Sequence, residues 1–228
     1  MSFANVRLPL ILACCLLPPA ASAAEKSVKH YPAFGVLTAP SETSVRVKAA
    51  RYLQEAGKYD RNRFEELWGD TSRALVDRLA DCLALADPQV AAALAEVRNR
   101  NNLPPAELPY FLIESQQPLF FRANIGLAYA RALTSRRIYE EGLDILRLFR
   151  PEQTVDPGCY LFHRAVCEHG LMLKQEAEES ITRLLDDVPS APERYRMVAT
   201  LMHFDMITWK QQSVSDKLAS IGRKMENV

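Results

Sequence analysis

Residues 137–146 read RIYEEGLDIL, and the helix that they begin decides the fold of the chain. Apolar residues recur with a period near 3.6, which predicts an amphipathic helix from Ile138 to Phe149 whose apolar side carries Leu143, Ile145, Leu146 and Phe149. The segment before it, residues 119–133, has the same period and predicts a second amphipathic helix. The short connection between the two predicts a helix hairpin.

A second hairpin follows directly. Asp156 and Pro157 combine an N-cap residue with a proline at the first helical position, which is typical of a helix start. We predict helices over residues 160–173 and 176–185, the second with Ile181, Leu184 and Leu185 facing inward. The chain therefore contains helix–turn–helix twice in succession.

Together these residues resemble the tetratricopeptide repeat, a hairpin of about 34 residues. Residues 137–146 look like the opening of that family's second helix, with Gly142 at the position kept small for close packing. Ala130 and Leu133 match the small and large apolar positions of the first helix. The second unit places Leu171, Ser180 and Leu184 at equivalent positions, which sets its small residue 38 positions after Gly142, and it carries Glu168 where a small residue is expected.

The resemblance covers about residues 119–187 and implies an all-α fold of antiparallel hairpins stacked as a short α-solenoid. It also implies a concave surface formed by the first helices, suited to binding another protein. In this alignment the surface is lined by Asn124, Arg131, His169 and Met172.

Residues 41–97 predict an N-terminal helical unit after an extended leader, residues 24–40. Its helix starts are marked by the cap candidates Ser41, the Asp70-Thr71 pair and Asp87. Residues 98–117 are rich in proline and asparagine and predict a linker or long loop, whose apolar residues 110–113 dock onto the core.

The last predicted helix, residues 210–228, carries Val214, Leu218, Ile221 and Met225 at spacings of four, three and four. This apolar seam predicts either packing within the chain or assembly of a homo-oligomer, and it is still running at Val228. We therefore expect this helix to pair or to continue beyond the chain end.

The first 23 residues resemble a secretory signal peptide. Arg7 precedes ten apolar residues, and Ala21-Ser22-Ala23 fits a signal-peptidase site. We predict export, with the mature chain beginning near Ala24 and residing in the periplasm or cell envelope, or outside the cell. The alternatives are a retained anchor and a lipoprotein modified at Cys14. A run of ten residues is shorter than the roughly 20 that a membrane span needs, so no span is expected after cleavage.

Removing residues 1–23 leaves 27 basic and 28 acidic side chains. No nucleic-acid partner is expected, since such proteins normally carry a basic excess. Cys82, Cys159 and Cys167 remain. The last two lie about 12 Å apart on one predicted helix, too far for a bridge, so any disulfide must use Cys82.

Candidate chemistry is sparse. Cys159, His163, Cys167 and His169 are metal-binding residue types, but ligands spread over eight positions of one helix cannot meet at one ion. Glu114-Ser115 resembles the Glu-Ser pair of lytic transglycosylases, without that family's following glycine-rich segment. We therefore predict an exported scaffold or adaptor that binds a protein, with no catalysis, metal or cofactor. A cell-wall glycan-cleaving enzyme using Glu114 and a homo-oligomer assembled through the last helix are the alternatives.

Overall fold

A computed structural model describes residues 37, 40–99, 110–113, 117–209, 219, 221–223 and 225. Every regular element in these residues is helical, which confirms the predicted all-α class. The helices are α1 (Glu42–Glu55), α2 (Arg61–Gly69), α3 (Leu75–Ala84), α4 (Pro88–Asn99), α5 (Tyr110–Ile113), α6 (Leu119–Ser135), α7 (Tyr139–Arg147), α8 (Pro157–Gly170), α9 (Lys174–Asp187) and α10 (Glu193–Trp209). A short 3-10 turn, Pro151–Gln153, precedes α8. The predicted signal peptide and leader lie outside the described residues, apart from Leu37 and Pro40.

Helix starts follow local side-chain chemistry. The Ser44 N–H donates to the Ser41 hydroxyl, and the Gln89 and Cys159 N–H groups donate to the Asp87 and Asp156 carboxylates. These three caps confirm the sequence prediction. The predicted Asp70-Thr71 cap is wrong, because α3 begins five residues later with Ala74 as its uncapped N-cap residue. Asp70 instead accepts a hydrogen bond from the N–H of Ser72 within the turn before α3.

Helices α6 and α7 form one antiparallel hairpin, and α8 and α9 form another. Helix α7 also packs on α8, α9 packs on α10, and the first helices α6, α8 and α10 contact one another in turn. The two hairpins have the same three-residue connection, whose central residue, Arg137 or Met172, has φ near +60°. Few non-glycine residues adopt this conformation, so its recurrence shows that the two turns are equivalent.

This equivalence corrects the repeat register. Arg137 and Met172 are 35 positions apart, and at the same offset Gly142 matches Ala177 rather than Ser180. Ala130 likewise matches Ala165, and both are fully buried. The predicted offset of 38 residues between the two repeats is therefore wrong. In α8, the first helix of the second repeat, the position expected to hold a small residue is occupied by Ala165 rather than Glu168.

Within the described residues, a hydrophobic cluster runs from Leu37 of the predicted leader to Met206 in α10. It includes Leu112 of α5, whereas Ile113, which was expected to dock with it, is 57% exposed. Helices α3 and α4 pack directly on α6, which brings residues of the N-terminal unit beside the first hairpin. None of the described helices is long and apolar enough to cross a membrane.

Candidate functional site

The face of α6 that meets α3 and α4 forms an open groove of about 290 Å³. Helix α6 contributes Ala128, Arg131, Ala132 and Ser135, which follow helical spacing and share one face. The opposite wall consists of Arg73, Asp77, Leu94 and Arg98. We call these eight residues the arginine groove.

The charges of the arginine groove are paired but not balanced. Arg131 and Asp77 form an ion pair with a 3.0 Å contact, and Arg98 lies 2.7 Å from Asp81, a carboxylate that Arg73 also contacts. Three guanidinium groups therefore share two carboxylates. Arg98 and Arg73 keep 47% and 31% of their side chains exposed. A carboxylate of a binding partner could therefore accept hydrogen bonds from the partly exposed guanidinium groups of Arg73 and Arg98.

Arg131 is thus one sequence-predicted site residue that the structure places in an open groove. The Arg73, Asp77 and Arg98 side chains of the opposite wall were not anticipated. They come from the N-terminal unit, and neither spacing nor periodicity shows that α3 and α4 pack across α6. Of the eight residues that line the groove, the sequence pointed only to Arg131.

Asn124 does not line an open surface, because its side chain is fully buried. Its amide nitrogen donates to the carbonyl of Phe120 at 2.7 Å, and its amide oxygen accepts the N–H of Val155 at 2.7 Å. Asn124 therefore ties the segment before α8 to the first turns of α6. This is the usual role of a fully buried polar side chain.

His169 and Met172 lie away from the arginine groove. The ring of His169 contacts the carboxylate of Asp205 at 3.0 Å, which links α8 to α10 with both side chains partly exposed. Met172 is 58% exposed, but it occupies the turn between α8 and α9 rather than the face of a first helix. The structure therefore does not bring the four predicted residues into one site.

A buried polar cluster lies where α8 meets α10. The ring of His163 meets the rings of Phe162 and Tyr195 edge-on, and its Nδ1 has no hydrogen-bond partner in the described part of the chain. Burial, with Arg131 and Arg194 nearby, lowers the pKa of His163 to about 3. The imidazole is therefore neutral near pH 7, and its protonation in the folded state is opposed by the surrounding structure.

This shift predicts a loss of stability in acid. The unfolded chain binds a proton at His163 with a pKa of about 6.5, whereas the folded chain does not bind it until about pH 3. The stability that neutral His163 contributes to the fold is fully present above pH 6.5, its pKa in the unfolded chain. This stability is lost as the pH falls from 6.5 towards 3. We expect the free-energy difference between wild type and His163→Phe to change by about 2–3 kcal/mol between pH 7.5 and 4.5.

Urea unfolding of both proteins at the two pH values measures this change. His163→Phe keeps an aromatic ring between Phe162 and Tyr195 but cannot titrate, so the contribution of all other groups cancels in the comparison. Parallel pH profiles for the two proteins would show that His163 does not carry the effect.

Cys82, Cys159 and Cys167 are all buried free thiols, so no disulfide joins them. Burial, with the nearby Asp81 carboxylate, raises the pKa of Cys82 to about 12, and burial raises that of Cys167 to about 11. Burial also raises the pKa of Cys159. Thiols in this state are poor nucleophiles near neutral pH.

The described residues contain no cluster of three or more side chains able to hold a metal ion. Glu114, the candidate acid of the alternative enzyme, lies outside the described residues. A cavity of about 580 Å³ lies between α1 and the segment before α8. There the ammonium of Lys48 sits 4.3 Å from the centre of the Phe120 ring, a contact that packs the cavity wall.

Comparison of the chain with protein-family models, with curated proteins and with solved structures finds no significant match.

Proposed function

We propose that this chain is an exported helical-repeat adaptor that binds another protein of the cell envelope and performs no catalysis itself. The observation that carries the proposal is the arginine groove, an open concavity beside α6 with an excess of guanidinium groups. Export is supported by the apolar run after Arg7 and by the Ala21-Ser22-Ala23 site.

Repetition of the hairpin supports a tetratricopeptide-like architecture. The two units share the turn conformation at Arg137 and Met172, and both place a buried alanine, Ala130 or Ala165, at the same point of the first helix. Stacked hairpins of this kind offer one face of their first helices to a partner. The arginine groove lies on the first helix of the first unit.

The groove chemistry favours an extended segment of the partner that carries at least one carboxylate. The side chains of Leu94, Ala128 and Ala132 give the groove an apolar part, while Arg73 and Arg98 supply donors at its edge. Arginine recognises carboxylates through two parallel hydrogen bonds, which supplies direction as well as attraction.

Site-specific photocrosslinking in envelope extracts tests the proposal. A photoreactive residue at Ser135, which lines the groove, should give a discrete adduct with one protein, and the second change Arg98→Glu should reduce its yield at least tenfold. The matched control carries the photoreactive residue at Asp144, an exposed position on α7. Equal adducts from both positions, or an adduct from Ser135 that is insensitive to Arg98→Glu, would contradict the proposed groove.

A further inference from the structure

A second cavity, of about 360 Å³, adjoins the arginine groove. It lies between α2, the end of α3 and α4, and we call it the α4 cavity. Arg73, Leu94 and Arg98 line both the α4 cavity and the arginine groove. The two openings therefore adjoin at these three side chains, so that a single bound segment can reach both.

The α4 cavity is mainly apolar away from this junction. Leu94 is 5% exposed, and the partly buried side chains of Leu67 and Leu85 pack against the hydrophobic core. Three small residues complete the apolar lining, and their short side chains leave the space beside the leucines open; they are Ala84, Ala91 and Ala95. Such a lining favours an apolar side chain as occupant, because its burial removes apolar surface of both partners from water.

Arginine side chains surround this apolar space. Arg73 and Arg98 share the carboxylate of Asp81, whose side chain is only 11% exposed. Arg63 also lines the α4 cavity, is 50% exposed and pairs with Glu66. The two openings together are lined by four arginines and two aspartates. Even with Glu66 counted, guanidinium groups outnumber carboxylates here, which favours an acidic occupant over a basic one.

An extended segment that lies along α4 matches both openings. Leu94 and Arg98 are four positions apart on α4, which separates them by about 6 Å along the helix. In an extended chain, residues two positions apart point to the same side and lie about 6.6 Å apart. An apolar side chain in the α4 cavity therefore sets the residue two positions away beside Arg98.

We propose that the α4 cavity holds an apolar side chain of the same partner segment whose carboxylate binds Arg73 and Arg98. The inference rests on the proposed function of the arginine groove and defines the partner more narrowly. The partner presents an extended segment with a large apolar residue two positions from an acidic one. The carboxylate supplies attraction to the arginines, and the apolar side chain supplies selectivity among acidic segments.

Selection of phage-displayed random peptides on the immobilised full chain tests the proposal. Enriched peptides should share an acidic residue and a large apolar residue two positions apart. A fluorescently labelled peptide of this kind should bind Ala91→Trp at least about tenfold more weakly than wild type, because the indole occupies the space for the apolar side chain. Ala92→Trp is the matched control, since Ala92 is the next exposed residue of α4 and is not among the residues lining the two openings. It should change the affinity by less than about twofold.

Changes in the peptide give a second readout that does not depend on how a protein variant folds. Replacing the apolar residue of the peptide with serine should weaken its binding to wild type at least about tenfold. The same replacement should have little further effect on binding to Ala91→Trp, because the α4 cavity is already filled in that variant. Arg98→Glu should weaken binding of the unchanged peptide through its carboxylate.

The outcomes separate this inference from the proposed function. Peptides that need Arg98 but bind Ala91→Trp as tightly as wild type would overturn the inference and leave the arginine groove as a docking site. Equal weakening by Ala91→Trp and Ala92→Trp would also overturn it. Peptides that are insensitive to Arg98→Glu, or the absence of any enriched peptide, would contradict the proposed function of the groove and this inference with it.

Discussion

Replacing Glu168 with alanine is expected to lower the free energy of unfolding by about 3 kcal/mol. Its carboxylate is almost fully buried, accepts the Arg164 Nε–H at 2.8 Å and accepts the Ser180 hydroxyl at 2.6 Å. Alanine removes both hydrogen bonds, leaves the buried hydroxyl without an acceptor and opens a cavity between α8 and α9. Arg164 keeps 30% of its side chain exposed, so water can solvate its guanidinium group after Glu168 is removed. The expected loss of stability is therefore at the low end of the range for breaking a buried ion pair. Urea unfolding with an unchanged m-value measures the effect.

Ser180→Ala provides the control, because it removes one hydrogen bond and keeps the carboxylate with Arg164. It should cost about 1 kcal/mol in the wild-type background, and much less when Glu168 is already alanine. The two effects are therefore expected to be non-additive, as they are for residues in direct contact. Two results would show that the Glu168 carboxylate does not stabilise the second hairpin. One is a double variant whose loss of stability equals the sum of the two single losses, and the other is a loss below about 1 kcal/mol for Glu168→Ala.

The sequence predicted the helices well because the determining chemistry is local. Caps at Ser41, Asp87 and Asp156 depend on side chains within three residues of the groups they bind. The apolar period of α7 likewise depends on consecutive residues. The Asp70-Thr71 prediction failed because a turn intervenes, and the same aspartate can serve a turn or a helix start.

The repeat register could not be read correctly because Ala177 and Ser180 are both small and lie three positions apart on one face of α9. The left-handed conformation shared by Arg137 and Met172 fixes the repeat offset at 35 residues, and this offset pairs Gly142 with Ala177. Glycine or asparagine usually marks this conformation, and neither occurs at these positions. The turn therefore left no signature in the sequence.

The candidate site was only partly predictable. The resemblance to the tetratricopeptide repeat implied a binding role for Arg131, whereas Arg73 and Arg98 reach the groove through packing of distant segments. The burial of Asn124 has a signal in the sequence. This residue is followed by the run Ile125–Ala130, which is apolar apart from one tyrosine hydroxyl, and a polar residue beside such a run is more often buried and hydrogen-bonded than free to bind a ligand.

Enlarging Gly126 is expected to destabilise the first hairpin strongly. A Cβ atom at this position would lie 2.5 Å from a ring carbon of Phe149, and two further ring atoms lie within 3.3 Å. Gly126→Ala should therefore cost about 1–2 kcal/mol by overpacking, although alanine favours the helix by about 1 kcal/mol. Gly126→Leu should cost about 3 kcal/mol or more. Thermal unfolding followed by circular dichroism measures both.

Gly142 is the matched control, since it is also a buried glycine on the same hairpin. Its Cβ would lie 3.3 Å from Cys167 Sγ and 3.4 Å from Thr134 Oγ1, a tight but adjustable fit. We expect Gly142→Ala to change stability by less than about 1 kcal/mol and Gly142→Leu to cost about 1–3 kcal/mol. Equal effects of the two alanine substitutions would contradict the close approach of α6 to the end of α7.

The double variant Gly126→Leu with Phe149→Ala identifies the cause. If the ring of Phe149 is what opposes a side chain at position 126, removing the ring makes space that leucine can fill. The double variant should then be more stable than the sum of the single effects predicts, by at least about 1 kcal/mol. Additive losses would instead place the damage in the backbone of α6, and Gly126 would then be required for a reason other than contact with Phe149.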